Sequence, residues 1–592
     1  MLLALAFLAH GAQSARAEGL SYRVSFEGPL DSDLKDLLIS VSQLETLQDR
    51  PPGSRPGLER RVQRDLDLLS QALRSEGYYA AKIAWRIDEG DPLQVVLTIE
   101  PGTRFVIGSF VVDFPARADP EDWPRPTLTE LGISIGQPAR AADVVAGEAK
   151  LVVFLQNNGY PWAKAGARRV TVDLATQEMQ VTLSAEPGPE GYFGDLSVKG
   201  LERLEEDYLR EVIAWPEGEV YSAATLETIR RRVVGMNLFD SVSLTIPQEP
   251  LPDGSLPAVL EVIERPLRTV GVGLGYSTEY GDLSRGFTAD AFWEHRNLLG
   301  EAESLRFELN ISLPLKRGAA IFRKPNWLDF QQNLLLSAEM KQEDNDAFTE
   351  LSFLVFGGIE RPIAPNLRIS TGISFEALQT DSLDSFDGGD GQFLIGALPT
   401  VLTYDNRDSI FNPTRGVLVT FGATPSAVTL DRSFFYLLTD LGASTYYAPF
   451  DDDSMVLAVR GRIASIVGAP TNELPASKRL YAGGGGSVRG YEVDSLGPRD
   501  SDGDALGGRS LFEASAEARF RFLEDYGIVL FLDAGQVYDS SFPEFTDPQF
   551  AAGVGLRYFT GFGPVRLDVA VPLNPRSGDR SFQFYVSIGQ AF

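Results

Sequence analysis

Two periodicities divide the chain. From residue 20 to about 265, short apolar runs alternate with stretches whose apolar residues recur at the spacing of one helix face. In one such stretch Leu226, Ile229, Val233 and Val234 form a stripe expected to face a sheet. From about Leu267 the spacing falls to two and stays there. Val270, Val272, Leu274 and Tyr276 alternate with Gly271, Gly273 and Gly275. Near the other end Phe582, Phe584, Val586, Ile588 and Phe592 alternate with small or polar residues, and Gln590 is the one break. One apolar face and one small or polar face is the pattern of a strand with lipid on one side.

The first region is punctuated. Glu100-Pro101-Gly102, Glu186-Pro187-Gly188 and Glu264-Arg265-Pro266 close successive units, which predicts three repeats at 20–101, 103–188 and 191–265. Inside each, a helix stops at a turn signal and a strand follows: Gly77-Tyr78, Asn158-Gly159-Tyr160, and Gly235-Met236-Asn237. Gly or Asn suits that place because a helix C-terminus commonly turns through positive φ. Each unit reads β-α-α-β-β, and Pro51-Pro52-Gly53 with Pro56-Gly57 separates the two helices of the first. Two readings of such a module stand side by side. It is a structural spacer, or it captures peptides by adding a strand to a free sheet edge.

The second region reads as an antiparallel barrel over 267–592. Fourteen candidate strands between the two end strands, one of them spanning 390–405, bring the total to sixteen. An even number suits a bacterial barrel. The longest stretch without strand pattern, 468–509, contains Gly483-Gly484-Gly485-Gly486-Ser487-Val488-Arg489-Gly490-Tyr491. It lacks the Gly-Lys-Ser/Thr ending of a phosphate loop, which argues against nucleotide binding. A loop of this length usually has a role of its own.

Composition narrows the chemistry. Cys is absent and the only histidines are His10 and His295, so thiolate metal sites, thiol nucleophiles and two-His metal sites are excluded. A net charge of −29 argues against nucleic-acid binding. Asp500-Ser501-Asp502-Gly503-Asp504 has its Gly in the wrong place for an EF-hand and reads as a solvated acidic loop. No cofactor, metal or enzymatic activity is expected. Residues 1–17 read as a signal peptide, with an apolar core from Leu2 to Ala9 and Ala15-Arg16-Ala17 as the cleavage site. No apolar run is long enough for a membrane helix, so membrane contact requires a closed barrel. A passive porin and a hydrolase built around His295 are the competing classes.

Val488-Arg489-Gly490-Tyr491 resembles the V-R-G-[FY] motif in the sixth extracellular loop of the POTRA–barrel superfamily, which includes BamA, TamA and the two-partner secretion transporters. Phe531-Leu532-Asp533-Ala534-Gly535, one strand downstream, resembles the F-x-D-x-G strand of that family. Arg296-Asn297-Leu298-Leu299-Gly300, Tyr404-Asp405-Asn406-Arg407-Asp408 and Asn412-Pro413-Thr414-Arg415-Gly416 are similar to family segments as well. The repeats resemble POTRA domains, and three of them resemble the TamA branch, the translocation and assembly module.

The resemblance implies a Gram-negative outer-membrane barrel with its repeats in the periplasm. The implied work is insertion or secretion of outer-membrane clients such as autotransporters, with a TamB-like periplasm-spanning partner. A two-partner-secretion transporter and a BamA-like general insertase are the alternatives. The resemblance further implies a loop lock, in which Val488, Arg489, Gly490 and Tyr491 meet Asp533 and Gly535. A lateral gate is expected between the end strands, at Gly271, Gly273 and Gly275 on the first and Phe582, Phe584 and Phe592 on the last. Glycines weaken strand packing. The other reading of these glycines is that they make room for lumen contents.

Overall fold

The computed structural model describes residues 19–116, 123–277, 287–344, 348–382, 390–450, 452–500, 503, 505–523, 525–560 and 563–592. The expected signal peptide lies outside these residues, as do Ser501, Asp502 and Asp504 of the acidic loop.

The first repeat runs β1 (Tyr22–Glu27), α1 (Ser32–Val41), α2 (Gln43–Thr46), α3 (Arg55–Ser75), β2 (Lys82–Asp88) and β3 (Leu93–Glu100). Its sheet order is β1-β3-β2, with β1 parallel to β3. Leu58, Val62, Leu69 and Leu73 recur at helical spacing on α3 and are buried with Val95, Leu97 and Ile99 of β3. The Pro-rich segment separates α2 from α3, and Pro56 sits in the first turn of α3, where its missing N–H costs nothing. Asp65 is buried on the same helix. It accepts Ser42 Oγ and Gln43 N, each at 2.6 Å, and so satisfies the start of α2.

The second repeat runs β4 (Val106–Asp113), α4 (Ala141–Asn157), β5 (Lys164–Asp173) and β6 (Glu178–Glu186), in sheet order β4-β6-β5. The β-α-α-β-β expectation needs correction here. Among the described residues α4 is its only α-helix, and residues 128–132 form turns. Gly132 and Gly136, at φ +71° and +89°, break helical geometry at that point.

The third repeat runs β7 (Tyr192–Lys199), α5 (Glu206–Ile213), α6 (Ala223–Gly235), β8 (Phe239–Thr245) and β9 (Ser255–Glu264), in sheet order β7-β9-β8. Ile229 and Val233 are buried as the stripe requires, but Val234 is 50% exposed and falls off it. The three helix exits use Gly77, Gly159 and Asn237 at φ +94°, +95° and +57°. Two compact units divide the chain. One holds residues up to 199 with 215–231 and 243–261. The other holds 200–214, 232–242 and 262–592.

The barrel strands are β10 (Arg268–Ser277), β11 (Phe287–Arg296), β12 (Ser304–Ser312), β13 (Leu315–Lys324), β14 (Asn333–Asp344) and β15 (Phe348–Ala364). Next come β16 (Leu367–Ser382), β17 (Gly391–Ala397), β18 (Thr400–Asp405), β19 (Gly416–Leu430), β20 (Phe434–Tyr447) and β21 (Met455–Val467). After the long loop follow β22 (Ser510–Arg521), β23 (Tyr526–Tyr538), β24 (Gln549–Thr560), β25 (Gly563–Pro572) and β26 (Gln583–Ile588). Apart from β17 and β18, each pairs with the next, and the barrel closes. Both β17 and β18 lie between β16 and β19, so they are one strand broken at Leu398-Pro399, and among the described residues the count is the expected sixteen. Pro399 cannot donate to the ladder, which accounts for the break. Alternation sets the faces. Val270, Val272 and Leu274 point outward, 71%, 85% and 91% exposed, whereas Glu513, Ser515, Glu517 and Arg519 of β22 are buried on the lumen side.

Candidate functional site

The long loop 468–509 and the lumen face of β22–β25 form one site. On β23, Phe531, Asp533 and Gly535 are two residues apart and therefore share a face. Each meets the loop motif differently. Arg489 lies over the Phe531 ring, 3.5 Å from its centroid. Its Nε donates to Asp533 Oδ2 at 2.7 Å, its Nη2 to Oδ1 at 2.9 Å, and its main-chain N–H to Oδ2 at 3.1 Å. Gly535 clears space: a Cβ there would sit 2.7 Å from Val488 Cγ2. Gly490 turns the loop at φ +98° and donates its N–H to the Tyr585 hydroxyl at 2.9 Å. The Tyr491 hydroxyl lies 3.1 Å from both Phe550 O and Asn574 Oδ1. The expected lock residues are thus brought together.

Arg489 is 2% exposed and faces more than one carboxylate. Its Nη1 reaches Glu517 Oε1 at 2.7 Å and Asp568 Oδ2 at 3.2 Å, and its Nη2 reaches Ser515 Oγ at 3.2 Å. Burial alone would lower its pKa. The hydrogen bond to Asp533 and the charges of Asp533, Glu517 and Asp568 outweigh that and raise it. Burial likewise pushes the Tyr491 hydroxyl up to about 12, so it stays a neutral donor. Glu517 also holds Arg519 at 2.8 Å, and Asp568 holds Arg557. Among the described residues Asp533 has no second cation, and it also accepts the Ser515 hydroxyl at 2.6 Å. The set binds and orients a loop.

The sequence reading missed Ser515, Glu517 and Asp568. Charged residues at alternate positions of a membrane strand, as in Glu513, Ser515, Glu517 and Arg519, are the signal that points to them. It also missed a second anchor of the loop on the β15–β16 wall. Lys478 Nζ donates to Glu376 Oε1 at 2.6 Å, and the Tyr481 ring packs on Phe348 at 5.8 Å. His295, the hydrolase candidate, is on β11. Among the described residues its Nδ1 is buried with no hydrogen-bond partner.

The gate needs correction. Among the described residues, strands β10 and β26 pair at two positions, Tyr276 with Val586 and Ser277 with Tyr585. Gly271, Gly273 and Gly275 do not touch this seam. They pair with Phe292, Asp290 and Thr288 of β11, and among the described residues no strand pairs with their other edge. A Cβ at Gly271 would run into the Phe292 ring, so this glycine does make room for a lumen side chain. On the last strand Phe584 pairs with Val569 of β25, and Phe582 lies before β26. Strand β26 stops at Ile588, because Gly589 turns the chain at φ +94°. Phe592 is then partly buried against Tyr446, with ring centroids 6.3 Å apart, instead of facing lipid.

Residues 297–592 match the Omp85 superfamily domain. The outer membrane protein assembly factor BamA of Neisseria meningitidis serogroup B is 22% identical over 90% of this chain and 73% of its own length. That of Nitratidesulfovibrio vulgaris is 23% identical over 90% and 68%. A sorting and assembly machinery component 50 homolog of Mus musculus is 24% identical over 64% of this chain and 86% of its own length. The crystal structure of Haemophilus ducreyi BamA lacking POTRA domains 1–3 shares the fold, with a TM-score of 0.63, 18% identity, and coverage of 81% of this chain and 99% of that one. The chain belongs to the Omp85 superfamily, as a Gram-negative outer-membrane barrel with POTRA domains in the periplasm.

Proposed function

We propose that this protein inserts or secretes outer-membrane clients by strand pairing at the seam between β10 and β26, with no covalent chemistry and no cofactor. The observation that carries this reading is the edge of β10. Among the described residues no strand pairs with the seam side of Arg268–Gly275, and over Val270–Gly275 the side chains alternate between large apolar and Gly. An incoming strand would gain main-chain hydrogen bonds there with no demand on its own sequence. In lipid such an edge cannot stay open without cost, so it favours a strand partner.

The three repeats support a TamA-like role with a TamB-like periplasm-spanning partner and autotransporter clients. The relatives named as BamA favour a second reading, a general insertase. The protein reconstituted in lipid vesicles should speed folding of an unfolded barrel client. A Cys at Gly273 should cross-link to the client's terminal strand during that reaction. Equal folding in empty vesicles would overturn the proposal. Co-purification of a TamB-like protein from the native membrane separates the two readings.

A further inference from the structure

Halfway round the barrel from the seam, the outer face carries a hollow. The strand registers show how it arises. Phe375 pairs with Gly396, Gly396 with Ala427, and Ala427 with Phe435, so the four form one row across β16, β17, β19 and β20. Residues directly opposite each other in a ladder lie on the same face of the sheet, and both Phe375 and Phe435 are exposed on the lipid side. The row therefore sets two small residues between two rings, whose strands are three spacings apart, about 14 Å. Leu398 and Leu437 extend the walls. The hollow measures about 620 Å³, and its lining side chains are apolar apart from the hydroxyls of Ser426 and Tyr436.

The wall behind the hollow is thin. Ser374, Ala397, Ser426 and Tyr436 form the neighbouring row, on the lumen side, where a second cavity of about 410 Å³ lies. Ala397, Ser426 and Tyr436 line both cavities. The ladder is weak at the same place. Leu398 donates its N–H to Pro425 O at 3.0 Å, and neither Pro425 nor Pro399 has an N–H to give in return. The hollow is continuous with the lipid-facing surface, so the bilayer supplies its occupant. We infer that it is a binding site for one acyl chain of a membrane lipid, and that the bound chain completes the thin wall. Phe435 lies at the start of β20 and Val467 ends β21, at the barrel end away from the start of β10, so the chain comes from the outward-facing leaflet. Lipid and protein are equally apolar here, so packing is what favours this place over the rest of the surface. A chain on a flat face touches protein on one side, whereas in the hollow it touches the Gly396–Ala427 floor and a ring on each flank.

Native mass spectrometry of the full chain, purified in a mild detergent and loaded with a dipalmitoyl phospholipid, tests the site. The parent should hold one lipid per chain at the lowest loadings. Gly396→Leu should lower that one-to-one fraction roughly tenfold, because a filled hollow leaves a chain no walls to touch. The fold has room for this change: the nearest atom a Cβ at Gly396 would meet is Phe375 Cε1, at 3.6 Å, an ordinary contact. Ala427→Leu fills the same floor from the next strand and should act alike. Ala443→Leu adds the same bulk further along the outer face of β20, outside the hollow, and should leave the fraction unchanged. Heat-modifiable gel mobility checks that each variant is folded. Equal retention by the parent and the two filled variants would overturn the site, as would a loss in Ala443→Leu as large as theirs. A folded parent that keeps no lipid at one-to-one stoichiometry would overturn it as well.

Discussion

The Arg489 guanidinium meets both oxygens of Asp533, with Nε at 2.7 Å from Oδ2 and Nη2 at 2.9 Å from Oδ1. Two parallel hydrogen bonds of this kind fix orientation as well as position, and only Arg supplies the planar fork. Here the pair is dry: Arg489 is 2% exposed and Asp533 0%.

Breaking such a pair from one side costs about 3–5 kcal/mol, because a buried charge is left alone. We expect Arg489→Ala and Asp533→Asn each to leave an inserted barrel whose long loop is cut faster by protease and whose client assembly is impaired. The double variant should be little worse than either, since among the described residues Asp533 pairs with no other cation. Arg489→Lys should restore part of the loss. Fully additive losses in the cycle would show that the two residues do not act together.

The second anchor should act separately from the first. Lys478→Ala removes an ion pair with Glu376 worth about 1 kcal/mol. Hydrogen exchange should rise over residues 476–481 and stay unchanged over 488–491. Equal loss of protection at both ends would mean that the loop opens as one body.

Glu264 offers a pH test outside the barrel. It accepts the backbone N–H groups of Glu202, Arg203 and Leu204, each at 3.0 Å. Burial would raise its pKa, but these three donors outweigh burial and lower it. A depressed folded value means that the ionised group contributes stability above the ordinary carboxylate range. That stability is lost as pH falls through the folded value. Glu264→Gln should therefore melt below the parent near neutral pH, and the difference should vanish in acid. A constant difference across pH would contradict this.

How much of this was legible in the sequence follows the physics of each element. Period-two alternation and its breaks gave sixteen strands, because side chains on a strand must alternate between lipid and lumen. The residues Gly77, Gly159 and Asn237 were readable because positive φ restricts residue choice. Arg489 and Asp533 were readable through motif resemblance. Glu517, Asp568 and Lys478 were not, because partnership across a lumen depends on strand register, which local pattern does not encode. The inward turn at Gly589 was missed for a similar reason: Phe592 continues the apolar alternation, and only the backbone shows that the strand has ended.

Truncation should respect an unexpected join. Residues 200–214 belong to the same compact unit as the barrel. Glu205 N–H reaches Gly300 O at 2.9 Å, Asn297 Nδ2 reaches Arg203 O at 3.0 Å, and Asn326 Nδ2 reaches the Tyr208 hydroxyl at 3.1 Å. Deletion of 19–190 should leave a barrel that still inserts and shows heat-modifiable mobility, but client assembly should fail. Full assembly without the first two repeats would remove them from client delivery.

The central claim is that clients enter through the seam. A Tyr276→Cys/Val586→Cys protein, oxidised before an unfolded client is added, tests it most directly, because those positions already face each other across β10 and β26. Client folding by the oxidised protein should fall to the rate in empty vesicles and return when the disulfide is reduced. Unchanged folding with a fully formed disulfide would contradict lateral opening.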